Sequence, residues 1–301
     1  MELHLADVGS EYAQDKNVKK DDVEALVQWT NKQPHLPEIN ELQAILFLQS
    51  CYYSNEAAKK TIDTYFTMKT LHPEIFRNKN TLLPLFNKTI ENSLATCLPK
   101  KTPEGYTIIF LKLVNIDVDN FNFIEHIKYL DMACMLQLYQ EGTSTGHVIV
   151  ADLKGVVFAH LTKVIIAGPM VLKNFLHYLQ EGMPIRLKGL HFINIVPFMD
   201  KILALVKPLM KMELLDMLYL HNTVDELVKF IPLECLPENY GGFTEDTSKL
   251  HDKAKDKYFT NSTFFEWEDK QTTDESKRVG PSDSVNNIFG VEGTFKKLNL
   301  D

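Results

Sequence analysis

The sequence predicts an α/β protein built on a mainly parallel sheet. Residues 107–114 form an almost continuous apolar run with several β-branched side chains, as expected for a strand covered on both faces. A similar run occupies 147–153, and strands are also predicted over 185–194 and 217–220. Helical patterns separate these runs, and strands that alternate with helices form parallel sheets with right-handed crossovers.

Apolar residues at helical spacing predict helices before the first strand, between the strands and after the last strand. The first helix begins at Asp21 or Asp22 and stops before Pro34. The other helices are predicted over 38–51, 55–71, 120–140, 168–182 and 224–230.

The stretch 184–211 changes its period halfway along. It has the pattern of a strand up to residue 194, and after Pro197 its apolar residues recur at helical spacing. They are Phe198, Met199, Ile202, Leu203, Leu205, Val206, Leu209 and Met210. These side chains cover an arc of roughly 160° at 100° per residue, so the helix has one broad apolar face. Pro197 suits a first helical turn, whereas Pro208 should kink or end the helix.

The composition is that of an ordinary soluble globular protein. The 301 residues are 45% hydrophobic and 24% charged, and the formal net charge of −8 argues against general nucleic-acid binding. Cys51, Cys97, Cys134 and Cys235 are widely spaced and predict free thiols rather than a disulfide framework or a zinc site. No apolar run approaches the ~18 residues of a membrane span, and no signal peptide is visible. We therefore expect a cytoplasmic protein.

Catalytic motifs are almost absent from the sequence. Gly142, Ser144 and Gly146 match the G-x-S-x-G pattern of serine hydrolases, but a helix precedes them and a strand follows, the reverse of a nucleophile elbow. No phosphate-binding glycine loop is present, and the scattered histidines include no i, i+4 pair to hold a metal. The sequence therefore predicts no catalytic site, no metal site and no cofactor.

Two motifs resemble the CRAL-TRIO lipid-binding family. They are R-L-K-G-L-H-F-I-N over 186–194 and L-P-E-N-Y-G-G over 236–242, and the ending over 288–298 is similar to insect members. The resemblance implies an apolar lipid pocket closed by a mobile gate helix, here 197 to about 210. It also implies a helical module over 21–78, the lipid-binding domain over 79–243 and a C-terminal tail over 244–301. The polar composition of residues 1–20 predicts a flexible N-terminus. We expect extended segments of this tail to dock on the main domain, because its many aromatic residues are unusual for a disordered tail.

The resemblance also implies which residues face the ligand. From the helix and strands they are His126, Tyr129, Ala133, His147, Ile149, Ala151, Phe175, Tyr178, Leu179, Met183 and Leu190. From the gate they are Met199, Ile202, Leu203, Val206 and Met210. His126 and His147 are equally consistent with polar ligand contacts and with simple core packing.

Two pairs of basic residues are candidates for membrane contact. Arg186 and Lys188 lie two apart on a strand and so point to the same side. By resemblance they stand where the family binds phosphoinositide phosphates, but the two further basic positions of that site fall on Glu213 and Met217. Lys207 and Lys211 on the polar side of the gate could replace them in part. These residues favour contact with anionic membranes over selective phosphoinositide recognition.

The resemblance implies a cytosolic carrier, not an enzyme, that transfers a small hydrophobic lipid of the retinoid, tocopherol or carotenoid kind between membranes. We expect a monomer whose partners are this lipid and an anionic membrane surface. Two alternatives from other classes stay open. One is a lipid-gated module whose protein partner senses the bound lipid, and the other is a serine hydrolase that uses Ser144.

Overall fold

A computed structural model describes residues 5–280 of the chain. Within these residues one sheet has the strand order β1-β2-β3-β4-β5. The strands are β1 (Ser93–Cys97), β2 (Tyr106–Leu113), β3 (Gly146–Asp152), β4 (Leu187–Ile193) and β5 (Leu218–His221). β1 runs antiparallel to β2, and the other neighbouring pairs are parallel. The predicted α/β fold with a mainly parallel sheet is therefore confirmed.

Helices surround this sheet and form the N- and C-terminal ends of the described chain. They are α1 (Val8–Gln14), α2 (Lys20–Asn31), α3 (Glu41–Ser50), α4 (Asn55–Leu71), α5 (Pro73–Phe76), α6 (Pro84–Asn92), α7 (Phe123–Glu141), α8 (Phe158–Ala167), α9 (Pro169–His177), α10 (Met199–Val206), α11 (Met212–Leu215), α12 (Val224–Leu227), α13 (Thr247–Thr260) and α14 (Ser262–Asp269). A π-helical turn follows α9 at Tyr178–Gly182, and a 3-10 turn follows α10 at Lys207–Leu209. This last turn contains Pro208, so the predicted end of the helix at that proline is confirmed.

The register of the strands builds one wall of a cavity. Ile149 of β3 lies beside Leu190 of β4, which in turn lies beside Leu218 of β5. Two residues further along, Ala151 and Phe192 form the next row on the same face, because side chains alternate along a strand. α7 packs against β1 and β2 at one edge of this face.

Residues 5–20, part of the segment predicted to be flexible, include helix α1 and contact other parts of the chain. Asp7 caps α1 by accepting a hydrogen bond from the backbone N–H of Ser10, and the backbone N–H of Ala6 donates to Tyr139 O over 2.8 Å. Glu11 is buried and accepts hydrogen bonds from the backbone N–H and hydroxyl of Thr143. The prediction used only the polar composition of this segment. The hydrogen bonds of the buried Glu11 carboxylate come from Thr143, which is distant in the sequence, so composition did not indicate them.

The C-terminal region docks through helices where extended segments are predicted. In α13 the residues Leu250, Ala254 and Tyr258 recur every fourth position and are buried against β1. In α14 both Phe264 and Phe265 are buried. Many lysines and aspartates on the outer face of α13 conceal this helical period in the composition. The motif at 288–298 lies outside the described residues.

A single hydrophobic core joins these regions. It runs from Val18 and the helices α2–α4, through the sheet and α7, to Phe265 in α14. α4 packs on the π-helical turn at Tyr178–Gly182, so the helical region before the sheet touches the element that leads into β4. The division into domains stays a prediction.

Candidate functional site

An apolar cavity of about 330 Å³ lies between the sheet and the helices α7, α8, α9 and α10. Sheet residues Ile149, Leu190 and Phe192 form its floor, and α10 covers it. Of the residues predicted to face a ligand, those that line the cavity are His126, Tyr129, Ile149, Ala151, Phe175, Leu179, Leu190, Met199, Ile202, Leu203, Val206 and Met210. A concave and mostly apolar space with a few polar groups is typical of a site for a hydrophobic small molecule.

α10 presents its apolar face to this cavity. Met199, Ile202 and Leu203 line the cavity, while Asp200 and Ala204 on the other side of the helix are exposed. The segment after α10 is fixed to the π-helical turn, because the backbone N–H of Lys211 donates to the Gln180 side chain over 2.7 Å. α10 is thus a short amphipathic cover that is attached at its C-terminal end.

Four predicted residues lie outside the cavity lining. Ala133 lies one turn past Tyr129 on α7, beyond the end of the cavity, where both faces of the helix are buried in the core. His147 is the second residue of β3, at the amino end of that strand, and the register between β3 and β4 shifts directly after it. Tyr178 donates to Asp131 Oδ1 over 2.6 Å, and Met183 is buried where the π-helical turn ends. Within α7 only the N-terminal part lines the cavity, and within β3 only residues from Ile149 onwards line it.

Sequence reasoning missed four polar residues of the cavity lining, Lys112 and Asp152 at the strand ends and also Ser93 and His160. Ser93 and His160 are buried, and both belong to elements that the sequence did not predict. Ser93 opens the short edge strand β1. His160 lies in α8, whose sequence is apolar on nearly all sides and lacks an amphipathic period.

The polar groups at one end of the cavity include a serine and histidine pair. Ser93 Oγ lies 2.6 Å from His126 Nε2, and His126 Nδ1 lies 2.6 Å from the carbonyl oxygen of Asn122. A carbonyl oxygen only accepts, so Nδ1 carries the proton and donates to it. Burial lowers the pKa of His126 to about 4, so the ring is neutral at pH 7 and Nε2 accepts the proton of the Ser93 hydroxyl.

Ser144, the serine of the hydrolase-like motif, makes hydrogen bonds that hold a loop in place. Ser144 Oγ lies 2.9 Å from the carbonyl oxygen of Gly146 and 3.1 Å from that of Gly105. It also accepts a hydrogen bond from the Thr107 hydroxyl. No histidine among the described residues is a hydrogen-bond partner of Ser144. These contacts fix the loop before β3 and supply no general base.

The four predicted membrane-contact residues lie in two separate places. The Arg186 guanidinium lies 4.3 Å from the ring centre of Tyr52 and 5.0 Å from that of Tyr53, and Lys188 Nζ donates to the Tyr52 hydroxyl over 2.8 Å. Lys211 pairs with Glu181, and Lys207 is exposed after α10. Arg186 and Lys188 therefore point to the same side, as predicted, but they are held by tyrosines.

Residues 5–280 contain no group of three or more potential metal ligands. Within the same residues no helix is both long and apolar enough to cross a membrane.

Comparison with known protein families identifies the class of protein that this fold and cavity define. A family model described as the CRAL/TRIO domain matches residues 91–242, just over half of the chain. The chain therefore belongs to the CRAL-TRIO family. A second model, described as a Pinta-like UBA domain, matches residues 15–86.

Individual relatives agree with this assignment. Proteins named α-tocopherol transfer protein-like from Mus musculus and Homo sapiens are 30% and 29% identical over 227 residues, which are 73% of this chain and 64% of each relative. Clavesin-1 of Xenopus laevis is 23% identical over 198 residues, 65% of this chain and 59% of that protein. The matched region thus spans less than two thirds of each of these relatives.

Proposed function

We propose that this protein binds a small hydrophobic lipid in its cavity and carries the lipid between membranes. The observation that carries the proposal is the apolar cavity of about 330 Å³, which is lined on one side by the amphipathic helix α10. The similarity to proteins named for tocopherol transfer supports a lipid of the tocopherol kind. Retinoids and carotenoids are further candidates because they are small and mostly apolar as well. We propose as its contacts the predicted residues that line the cavity, and exclude Ala133, His147, Tyr178 and Met183.

Burial of apolar surface is sufficient to hold such a lipid. A lipid that buries roughly 400 Å² of apolar surface would gain about 10 kcal/mol at ~25 cal/mol per Å², before the cost of immobilisation. Few polar contacts are therefore needed for binding. Release is the harder step, because the apolar face of α10 must remain covered when the lipid leaves.

A bilayer would provide that cover. α8 and the start of α9, which adjoin α10, carry exposed apolar side chains: Ile165 is 52% exposed, Ile166 76% and Met170 48%. The Phe158 ring of α8 packs edge-on against Phe198, directly before α10. We propose that this surface meets the membrane as α10 moves aside. Lys207, with Arg186 and Lys188, would add attraction to anionic lipids. Glu213 and Met217 carry no positive charge to bind further phosphates, so we propose attraction to anionic lipids in general and no selectivity for one phosphoinositide.

A charge on the inner face of α10 tests the role of the cavity. Leu203→Asp places a carboxylate in the apolar lining and should abolish binding of a fluorescent tocopherol or retinoid analogue, because an unpaired buried charge is strongly unfavourable. Ala204→Asp adds the same charge to the exposed side of the same helix and should bind as the unmodified protein does. Equal binding by both variants, with thermal unfolding unchanged, would refute the assignment of α10.

The lipid-gated interaction module is distinguished by transfer itself. A carrier moves lipid between two vesicle populations when the purified chain is the only protein present. An interaction module binds the lipid but requires its partner before any consequence follows. The hydrolase alternative finds no histidine bonded to Ser144 within residues 5–280, and it would require an esterase activity that Ser144→Ala removes.

A further inference from the structure

One exposed tyrosine lies across the two basic residues at the start of β4. The ring centre of Tyr52 lies 4.3 Å from the Arg186 guanidinium and 5.2 Å from Lys188 Nζ. Lys188 Nζ also donates a hydrogen bond to the Tyr52 hydroxyl over 2.8 Å. Both cations therefore contact the same side chain, although Tyr52 itself is 62% exposed.

The backbone holds Tyr52 in a conformation that favours glycine. Tyr52 follows Cys51, the C-terminal cap of α3, and its φ is +51°, while the next residue, Tyr53, has a φ of +64°. A left-handed residue commonly ends a helix, but it is usually glycine because a Cβ is strained there. Strained residues persist where surrounding contacts hold them, and they are concentrated at functional sites. The contacts of its ring with Arg186 and Lys188 help to hold Tyr52 in this conformation.

The two cations retain the capacity to bind an oxyanion. Arg186 Nε and Nη2 are buried and have no hydrogen-bond partner among the described residues, and Lys188 Nζ donates to a neutral hydroxyl. The nearby Asp15 carboxylate accepts hydrogen bonds from the Tyr53 hydroxyl and from Asn17. A buried N–H without a partner is costly, and phosphate oxygens are acceptors that match the fork of a guanidinium.

The spacing of Arg186 and Lys188 suits one phosphate group. Arg186 lies directly before β4 and Lys188 is its second residue, so the two side chains extend to the same side from backbone positions roughly 7 Å apart. The guanidinium presents a planar fork of donors, and the ammonium is carried on a flexible stem. Such groups can contact one phosphate together, as they now contact one tyrosine ring. A bound phosphate and the Tyr52 ring would therefore compete for the two cations.

We propose that Tyr52 determines the lipid specificity of the membrane contact by covering Arg186 and Lys188. While the ring covers them, the pair attracts any anionic surface but does not bind the phosphate monoester of one lipid headgroup. Removal of the ring converts the pair into a site for such a phosphate. The inference rests on the proposed function, since it assumes contact with an anionic membrane, and it adds the residue that sets what this contact recognises.

Two variants separate the ring of Tyr52 from its hydroxyl. Tyr52→Asn removes the ring and suits the left-handed backbone, because asparagine tolerates a positive φ. Tyr52→Phe keeps the ring on Arg186 but removes the hydroxyl that binds Lys188. Neither change adds strain, so both variants should unfold within a few degrees of the unmodified protein.

Cosedimentation with vesicles measures the specificity of the full chain. Phosphatidylcholine vesicles contain either phosphatidic acid, whose headgroup is a phosphate monoester, or phosphatidylserine, and the two preparations are matched in zeta potential. The unmodified chain and Tyr52→Phe should bind both within about twofold, because total charge decides their attraction. Tyr52→Asn should bind the phosphatidic acid vesicles about tenfold more tightly, because the freed pair can make charge-assisted hydrogen bonds to the monoester.

A second substitution and a soluble competitor assign this preference to the freed pair. Tyr52→Asn with Arg186→Ala should return the ratio to about twofold or less, since the fork of donors is gone. Glycerol 3-phosphate at constant ionic strength should displace Tyr52→Asn from phosphatidic acid vesicles and leave the unmodified chain bound. A preference that survives either test does not come from a phosphate on Arg186 and would overturn the inference.

The outcomes separate this inference from the proposed function. If the unmodified chain binds neither the vesicles nor a fluorescent tocopherol analogue, the proposed function is refuted. If it binds both but Tyr52→Asn has no preference for phosphatidic acid, Tyr52 does not cover a phosphate site and the lipid cavity stands. A preference that is present in the unmodified chain and lost in Tyr52→Asn would make Tyr52 part of the phosphate site instead of its cover, and would overturn the inference.

Discussion

Glu268 of α14 is the residue whose loss should most weaken the fold, because it holds a buried ion cluster together. Its carboxylate pairs with Lys69 of α4 and with Lys79, whose Nζ lies 2.6 Å from Glu268 Oε2. Lys79 also pairs with Asp131 of α7, and the Tyr65 hydroxyl donates to Glu268 over 2.8 Å. The side chains of the four charged residues are at most 2% exposed. The cluster thus joins the N-terminal helices, the wall of the cavity and the C-terminal helices.

The expected cost of Glu268→Gln follows from this burial. The substitution keeps the shape but leaves two buried ammonium groups with one carboxylate, and loss of one partner of a buried ion pair costs ~3–5 kcal/mol. The pKa of Glu268 gives a second measure. Burial alone would raise that pKa, but the neighbouring Lys69 and Lys79 outweigh it and hold it at about 2, against 4.5 ordinarily. At ~1.4 kcal/mol per pKa unit this shift corresponds to about 3 kcal/mol. Either value is a large part of a typical unfolding free energy of ~5–15 kcal/mol.

Urea unfolding at pH 7 measures this effect, with Glu245→Gln as the matched control. Glu245 pairs with Lys253 on the surface, where the two side chains are 40% and 65% exposed, so its loss should cost below ~1 kcal/mol. The folded-state pKa of Glu268 is depressed, so its stabilisation is present above about pH 4.5 and is lost as the pH falls towards 2. Glu268→Gln should therefore show a smaller loss of stability over this range than the unmodified protein. A loss at pH 7 no larger than that of Glu245→Gln would refute the reasoning.

Two further substitutions test the surface and the N-terminal contact. Arg186→Ala with Lys188→Ala should leave equilibrium lipid affinity within a few-fold but slow lipid transfer to anionic vesicles more than to neutral ones, because each cation contributes roughly 1 kcal/mol near an anionic surface. Added salt should slow transfer by the unmodified protein in the same way. A strong preference for one phosphoinositide at constant vesicle charge would contradict this prediction. Gly142→Ala should destabilise the protein by about 1–3 kcal/mol, because Gly142 has φ +77° and a Cβ there would lie 1.7 Å from Glu11 Oε1. Gly168→Ala shares the positive φ but has open space around it, so a thermal-unfolding comparison isolates the contact with Glu11, and equal losses would show that this contact is unimportant.

The central strands and α10 were predictable because the hydrophobic pattern of each sequence matches which of its faces are buried. β2 and β3 are covered on both faces, so nearly every residue is apolar and the run is unmistakable. α10 has one apolar and one polar face, and Pro208 marks its end in the sequence as in the structure. For such elements burial dictates the residue at each position.

The missed elements depend on contacts that are distant in the sequence. β1 is a five-residue edge strand whose register is set by β2 and whose outer side is covered by α13. Glu268 appears in the sequence as one more acidic residue of a charged tail, and only its approach to Lys69 and Lys79 makes it a core residue. No sequence pattern around His160 indicates that it lines the cavity, where the fold places it beside Phe121. Contacts between polar groups that are distant in the sequence produce no helical or strand periodicity, so the sequence pattern does not predict them.

The lipid that remains bound through purification tests the central claim most directly. The unmodified chain, Ala204→Asp and Leu203→Asp are purified in parallel, extracted with organic solvent and analysed by mass spectrometry for lipid per protein. We expect one hydrophobic lipid, near one molecule per protein, in the first two samples and its loss from Leu203→Asp, which keeps its fold. The same lipid in equal amount with all three proteins, or none with the unmodified chain after exposure to a lipid extract, would contradict a lipid site beneath α10.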